Sequence, residues 1–517
     1  MKILNTINKN FKLSAVIIAG VCLLAPATGC KKFLDTQPQG QYTADDYPYP
    51  SGSGPYDVFI FAAYNNLRDY NIHAAPFIVA TSIRSDDADK GSTPSDGGAD
   101  VISMDNFPVL PNNGITNALW TGYYAMINNC NTTIDQIQTN TTIVADNAIK
   151  TQTEAEARFL RAYGYFMLVR LFGRVPIVDK VLGATQTNVP QSAATAVYSF
   201  IEQDLQFAAA NLPVSWDAKF IGRATKGAAN GMLTKVYLTQ QKWPAAMNAA
   251  NTVMTSGQYD LSTSYDRIFR EEGENSKESV FEAQATATAQ IPQNNGVQYT
   301  NIQGVRGAGN FDLGWGWNTP STVLESAYEA NDPRRTRTIL YTTSTSTAPA
   351  LSIYNEAIPA GLPNPRYNNK VYTNPSFRSL YNNRFGWWMN VRLLRYADVV
   401  LMYAEAANEV GGAANTTAAL TALNSVRARA RNGSTTILPN VITTDQTQLR
   451  LAIQQERRIE LAMEHDRFFD IVRWGISQTA MSSAGKTNFN ASRDNLLPIP
   501  QTQIDLSKGI LTQNPGY

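Results

Sequence analysis

Residues 224–257 read as a helical hairpin completed within a set length, and that unit limits the folds open to the chain. A helical pattern opens after Ala224-Thr225-Lys226-Gly227 and breaks at Gln240-Gln241-Lys242-Trp243. Pro244 then falls in the first turn of a second helix, where its missing N–H is no loss, and Gly257 ends it. The small residues Gly227, Ala228 and Gly231 permit close approach, while Leu233, Tyr237, Ala246, Ala249 and Val253 supply apolar faces. The unit is 34 residues long, the tetratricopeptide period, although Ala-rich hairpins of similar length are common elsewhere.

Other segments share this helical character. Thr153-Glu154-Ala155-Glu156 has the spacing of a capping box, with Thr153 as N-cap. The helix it opens places Phe159, Ala162, Tyr163, Phe166 and Val169 on one face and closes at Gly173 and Val175-Pro176. From Arg392, a stripe of Leu394, Ala397, Leu401 and Ala404 predicts a helix broken at Gly411-Gly412, with the pattern resuming over 418–431. Residues 448–474 form a third helical stretch. Long Gly/Asn/Thr/Ser-rich segments at 85–115, 283–320 and 341–390 read as functional loops. The expected fold is mainly α: a tetratricopeptide-like hairpin scaffold with long irregular loop insertions, one domain over residues 56–517.

The N-terminus reads as an address. Lys2, Lys9 and Lys12 precede an apolar run over 13–27, too short for a transmembrane span, which ends in Ala27-Thr28-Gly29-Cys30. Small residues immediately before a cysteine resemble a bacterial lipobox, so residues 1–29 are expected to be a signal peptide and Cys30 a lipid anchor. An ordinary signal peptide cut nearby is the alternative. Residues 30–55, rich in Gln, Pro, Tyr, Gly and Ser, read as a tether. Lipidation would hold the chain on a membrane without crossing it.

Removing the leader leaves 40 of the 43 basic residues against 42 acidic ones, a net charge near −2. That is no field for nucleic acid, so recognition rests on local contacts. With Cys30 modified and Cys22 in the leader, Cys130 stands alone, and a disulfide framework or Cys/His zinc site is excluded. Cys130 lies in an apparent helix and reads as a buried, inert thiol.

No Ser/His/Asp, metal or phosphate-loop constellation is visible, and no cofactor is expected. His73 and His465 each read as structural groups. The charged string from Glu456 to Arg473 could suggest paired catalytic carboxylates. However, Glu464/Arg467 and Asp470/Arg473 stand at i,i+3, where opposite charges support a helix, and Arg395 and Asp398 read the same way. Loop aromatics are the better candidates. Gly314-Trp315-Gly316-Trp317-Asn318 sets two indoles among glycines, with Tyr299, Asn301 and Arg306 nearby. Sugar C–H faces pack on such rings while amides and carboxylates meet the hydroxyls. Each tryptophan could equally plug the scaffold. Trp387-Trp388, just before the Arg392 helix, reads as packing. Arg84-Ser85-Asp86-Asp87-Ala88-Asp89 is a second polar candidate, as a solvated loop or as a contributor of hydroxyl contacts. It lacks the glutamate of a calcium loop.

Taken in order, several segments resemble the SusD/RagB family. They are Cys30-Lys31-Lys32-Phe33-Leu34-Asp35; the run from Glu156 to Tyr163 with Leu171-Phe172-Gly173; and Ala224 to Ala229. Leu394-Arg395-Tyr396-Ala397-Asp398, Glu456-Arg457-Arg458-Ile459-Glu460 and Arg467-Phe468-Phe469-Asp470 follow. Leu497-Pro498-Ile499-Pro500 and Gln513-Asn514-Pro515-Gly516-Tyr517 close the series. The resemblance spans the chain. It implies a helical outer-membrane lipoprotein that binds a nutrient in variable loops and passes it to a SusC-like TonB-dependent transporter. An oligosaccharide is the expected ligand, with Trp315, Trp317, Asn318, Tyr299, Arg84, Asp86 and Asp87 as contacts and no catalysis. A peptide binder, a surface glycosidase and a ligand-free helical adaptor are the alternatives.

Overall fold

The computed structural model describes residues 54–186, 188–286, 296–342 and 350–517. The leader, Cys30 and nearly all of the expected tether lie outside the described residues. Residues Pro50–Tyr517 cluster as one unit.

The scaffold is a run of helices, each packed on the one before it. They are α1 (Asp57–Asn66), α2 (Gly114–Thr139), α3 (Asn147–Phe172), α4 (Ala194–Asn211), α5 (Lys226–Thr239), α6 (Trp243–Met254), α7 (Tyr396–Val410) and α8 (Ala413–Arg431). A further helix, α9 (Gln446–Glu460), lies on α7, and the short α10 (Arg467–Arg473) follows. The hairpin read at 224–257 is α5–α6. Thr225 caps α5 by accepting from the Ala228 N–H, and Gly257 adopts φ +70 after α6. Gly231 serves a strand as well as the helices, since a Cβ there would lie 2.6 Å from the Leu394 side chain.

Three readings need correction. Helix α3 begins at Asn147, so Thr153 is inside it and bonds the Ile149 carbonyl at 2.9 Å. Glu156 closes no capping box; it is buried and pairs with Arg223. Residues 391–395 are a strand, β6 (Val391–Arg395), and the helix starts at Tyr396. The stretch 448–474 is broken between α9 and α10, where Met463 and His465 take positive φ. For Glu156 and for the strand at 391–395, long-range pairing overrode the local pattern.

Short antiparallel pairs tie the loops to the helices. β1 (Ala88–Gly91) pairs with β3 (Trp317–Pro320), aligning Gly91 with Trp317. β2 (Ser279–Ala283) pairs with β6 through a register shift. β4 (Ile339–Tyr341) pairs with β5 (Arg366–Asn368). The segment 85–115 is therefore no irregular loop, since it also holds a helix, Gly98–Asn106.

Motifs far apart in sequence meet in space. Asn514 donates to the carbonyls of Phe172 at 2.9 Å and Leu497 at 2.8 Å, and the Leu497 N–H donates to Leu171 at 2.7 Å. The charges of the 394–398 and 456–473 motifs also pair across elements. Asp398 sits between Lys235 and Arg457, and Arg457 bonds Asp470 at 2.8 Å.

Candidate functional site

The segment 296–304 carries the candidate site because two aromatic loops are fastened to it. The Trp315 N–H donates to the Asn301 carbonyl at 2.7 Å. The Trp387 indole N–H donates to the Asn301 side-chain oxygen at 3.0 Å. The Val297 N–H donates to the Trp387 carbonyl at 2.9 Å. Glycines make this approach possible: a Cβ on Gly314 would lie 2.2 Å from the Asn301 oxygen, and one on Gly296 would strike Trp387.

Trp387 stacks on Phe385, with centroids 5.7 Å apart and planes at 27°, and Arg384 lies over Phe385 at 4.8 Å. Both rings are half-buried, and among the described residues neither is packed on a buried apolar cluster. Trp315 is also half-buried and meets Trp317 edge-on at 5.0 Å. The site thus presents indole and phenyl surface that the core leaves partly uncovered. Phe385 and Trp387 were not among the expected contacts. The available signal was two aromatics around a loop glycine, Gly386, the same signal that singled out Trp315.

A polar edge adjoins Trp317. Asp96 accepts from the Trp317 indole at 3.1 Å and from Ser92 at 2.6 Å, and pairs with Arg306. Partial burial works against the Asp96 charge, but the bonds from Ser92 and Trp317 and the Arg306 guanidinium hold its pKa below the ordinary value.

The remaining expected contacts point inward. Trp317 is 6% exposed and belongs to the main core. Asn318 is fully buried and donates to the Gln303 side chain at 2.6 Å. The half-buried Tyr299 shares a 2.7 Å hydrogen bond with His465, whose pKa burial drives down to about 3. Arg84 is buried over the Phe468 ring and donates to the Asp494 carbonyl at 2.8 Å. Asp86 and Asp87 are buried as well. Arg467 donates to Asp86 at 2.7 and 2.8 Å, and Arg458 donates to Asp87 at 2.8 Å. Burial opposes the Asp86 charge, yet Arg467 and Arg458 keep its pKa below the usual range. The solvated acidic loop is thus corrected to an inward clamp. Arg84, Asp86, Asp87 and Asn318 have no free surface for a ligand.

The carboxylates of α9 are buried and paired with arginines. Glu456 accepts from Arg427 at 2.8 Å and also pairs with Arg334. Glu460 accepts from Arg395, Arg429 and Arg334 at 3.0, 2.6 and 3.2 Å. Asp470 and Arg473 do pair at i,i+3, at 2.8 Å. Glu464 instead pairs with Lys370 and Arg395, Arg467 with Asp86, and Arg395 makes no pair with Asp398. Cys130 is buried, and burial raises its pKa. Among the described residues no His/Cys/Asp/Glu group could hold a metal ion, and no helix is long and apolar enough to cross a membrane.

Comparison with known proteins matches a sequence profile of the SusD family over residues 277–517. A second profile, described as starch-binding associating with outer membrane, matches residues 82–238. SusD-like protein P2 of Formosa agariphila is 28% identical over 542 residues, covering 98% of this chain and all of its own. Among solved structures, a laminarin binding SusD-like protein superposes with TM-score 0.76 at 28% identity, covering 89% of this chain and 99% of its own. Surface glycan-binding protein A of Bacteroides thetaiotaomicron, in complex with laminarihexaose, shares the fold with TM-score 0.74 at 24% identity, covering 89% and 98%.

Proposed function

The chain belongs to the SusD/RagB family, and from that premise we propose that it binds an oligosaccharide on the aromatic surface fastened to Asn301. Trp387, Phe385 and Trp315 form the stacking platform, and the Asp96–Arg306 edge meets hydroxyls. The observation that carries this reading is that Phe385 and Trp387 stack on each other, only half-buried, outside the core. A large aromatic surface held rigid and left wet gains most from a ligand with an apolar face and a polar rim. The relatives that bind laminarin and laminarihexaose support a glucan as the first ligand to test.

The binding involves no turnover. Glu456 and Glu460 are spent on buried arginines, which supports a scaffold role for the α9 carboxylates. Residues 1–29 are cleaved and Cys30 is lipidated, which places the protein on the outer membrane facing outward. From there it hands the glycan to a SusC-like TonB-dependent transporter.

Trp387→Ala tests the site. Losing one stacked indole should weaken binding by about 1 to 2 kcal/mol, roughly 5- to 30-fold, with little change in melting. A Trp387→Ala protein that keeps full affinity for a glycan bound by the wild type removes this platform from the site.

A further inference from the structure

We propose that the cleft between α1 and the strap at 218–223 is a second subsite for the same oligosaccharide; this rests on the glycan-binding role argued above. The cleft encloses about 580 Å3, within the roughly 300–1,000 Å3 typical of small-ligand sites. Phe61 of α1, Phe220 and Ile221 of the strap, and Gln284 are among the residues that line it.

The strap holds its apolar side chains outward. Asp217 caps a single 3₁₀ turn, Ala218–Phe220, by accepting from the Lys219 N–H at 2.9 Å. Ile221 is 55% exposed and Phe220 is half-buried. Among the described residues neither is packed on a buried apolar cluster. Asn65 and Arg68, hydrogen-bonded to each other, also line the cleft and supply an amide and a guanidinium. Apolar faces closely bordered by such groups suit a neutral sugar, which offers C–H faces and hydroxyls together.

Position argues for the same ligand. The Asn390 side chain donates to Gln284 at 3.1 Å and accepts from the Ala285 N–H at 2.7 Å. Trp387 precedes Asn390 by three residues, so their backbones are at most about 11 Å apart. A glycan of a few sugars stacked on Trp387 therefore has the cleft within reach. Two contacts on one chain strengthen each other, so a long glycan gains more from the pair than a short one.

The test uses the full chain and a glycan panel that includes laminarin and laminarihexaose. Phe220→Ala with Ile221→Ala should lower affinity for the best-bound glycan about tenfold or more, the factor for losing a well-packed apolar contact. Melting should stay within experimental error of the wild type. The loss should be larger for the polymer than for the hexasaccharide. If the double variant melts early, Ile221→Ser carries the test alone, with a smaller loss in the same direction. Unchanged affinity in the strap variants, with Trp387→Ala weakened, overturns the cleft and leaves the platform standing. Unchanged affinity in both, or a wild type that binds nothing in the panel, overturns both.

Discussion

Replacing Glu460 by Gln should remove about 3 kcal/mol of folding stability while leaving glycan affinity intact. Glu460 is fully buried and its carboxylate accepts from Arg395, Arg429 and Arg334. Burial alone would raise its pKa, but the three guanidiniums and Lys370 outweigh that and hold it at about 2 against an ordinary 4.5. Lowering a carboxyl by that much on folding corresponds to about 3 kcal/mol at neutral pH. Breaking a buried ion pair from one side costs about 3–5 kcal/mol, so two routes agree. The folded pKa is depressed, so the contribution is complete above the unfolded value of 4.5 and is lost as pH falls toward 2. Urea unfolding of wild type and Glu460→Gln at pH 7 measures the difference, and the gap should narrow in acid below pH 4.5. A loss of no more than about 1 kcal/mol, the ordinary cost of a substitution, would refute the argument that this carboxylate organises the arginines. Hydrolysis of a bound glycan that Glu460→Gln abolishes would refute the scaffold role outright.

Trp317→Ala should lower stability by about 3 to 5 kcal/mol, because its ring fills the core and its indole holds Asp96; thermal unfolding checks this. Gly314→Ala should cost about 1 to 3 kcal/mol and also weaken glycan binding, since the new methyl group meets the Asn301 carbonyl that positions Trp315. Unfolding and titration together read both effects. Cys30→Ala should move the protein from the membrane fraction to the soluble one in cells lacking the transporter. Retention in the pellet would remove the lipid anchor.

The helices of the scaffold were legible because packing faces repeat along the chain. The α5–α6 hairpin, its Thr225 start and its Gly257 stop follow from small residues, apolar spacing and end signals that act within a few residues. The aromatic loop that holds Trp315 could be picked out for the opposite reason, its lack of any period. Partners at long range could not be read this way. Thr153 and Glu156 have the spacing of a cap, yet Glu156 is held by Arg223, 67 residues away. Asp86 and Asp87 look like a solvated acidic loop until Arg458 and Arg467 fold over them from more than 370 residues away. Trp317 and Trp387 carry the same side chain, and each sits beside glycine or another aromatic. Only the tertiary structure sends one into the core and leaves the other against Phe385 at the surface. The physical reason is that burial and charge pairing depend on which segments meet, whereas periodicity records only which face of a helix is apolar.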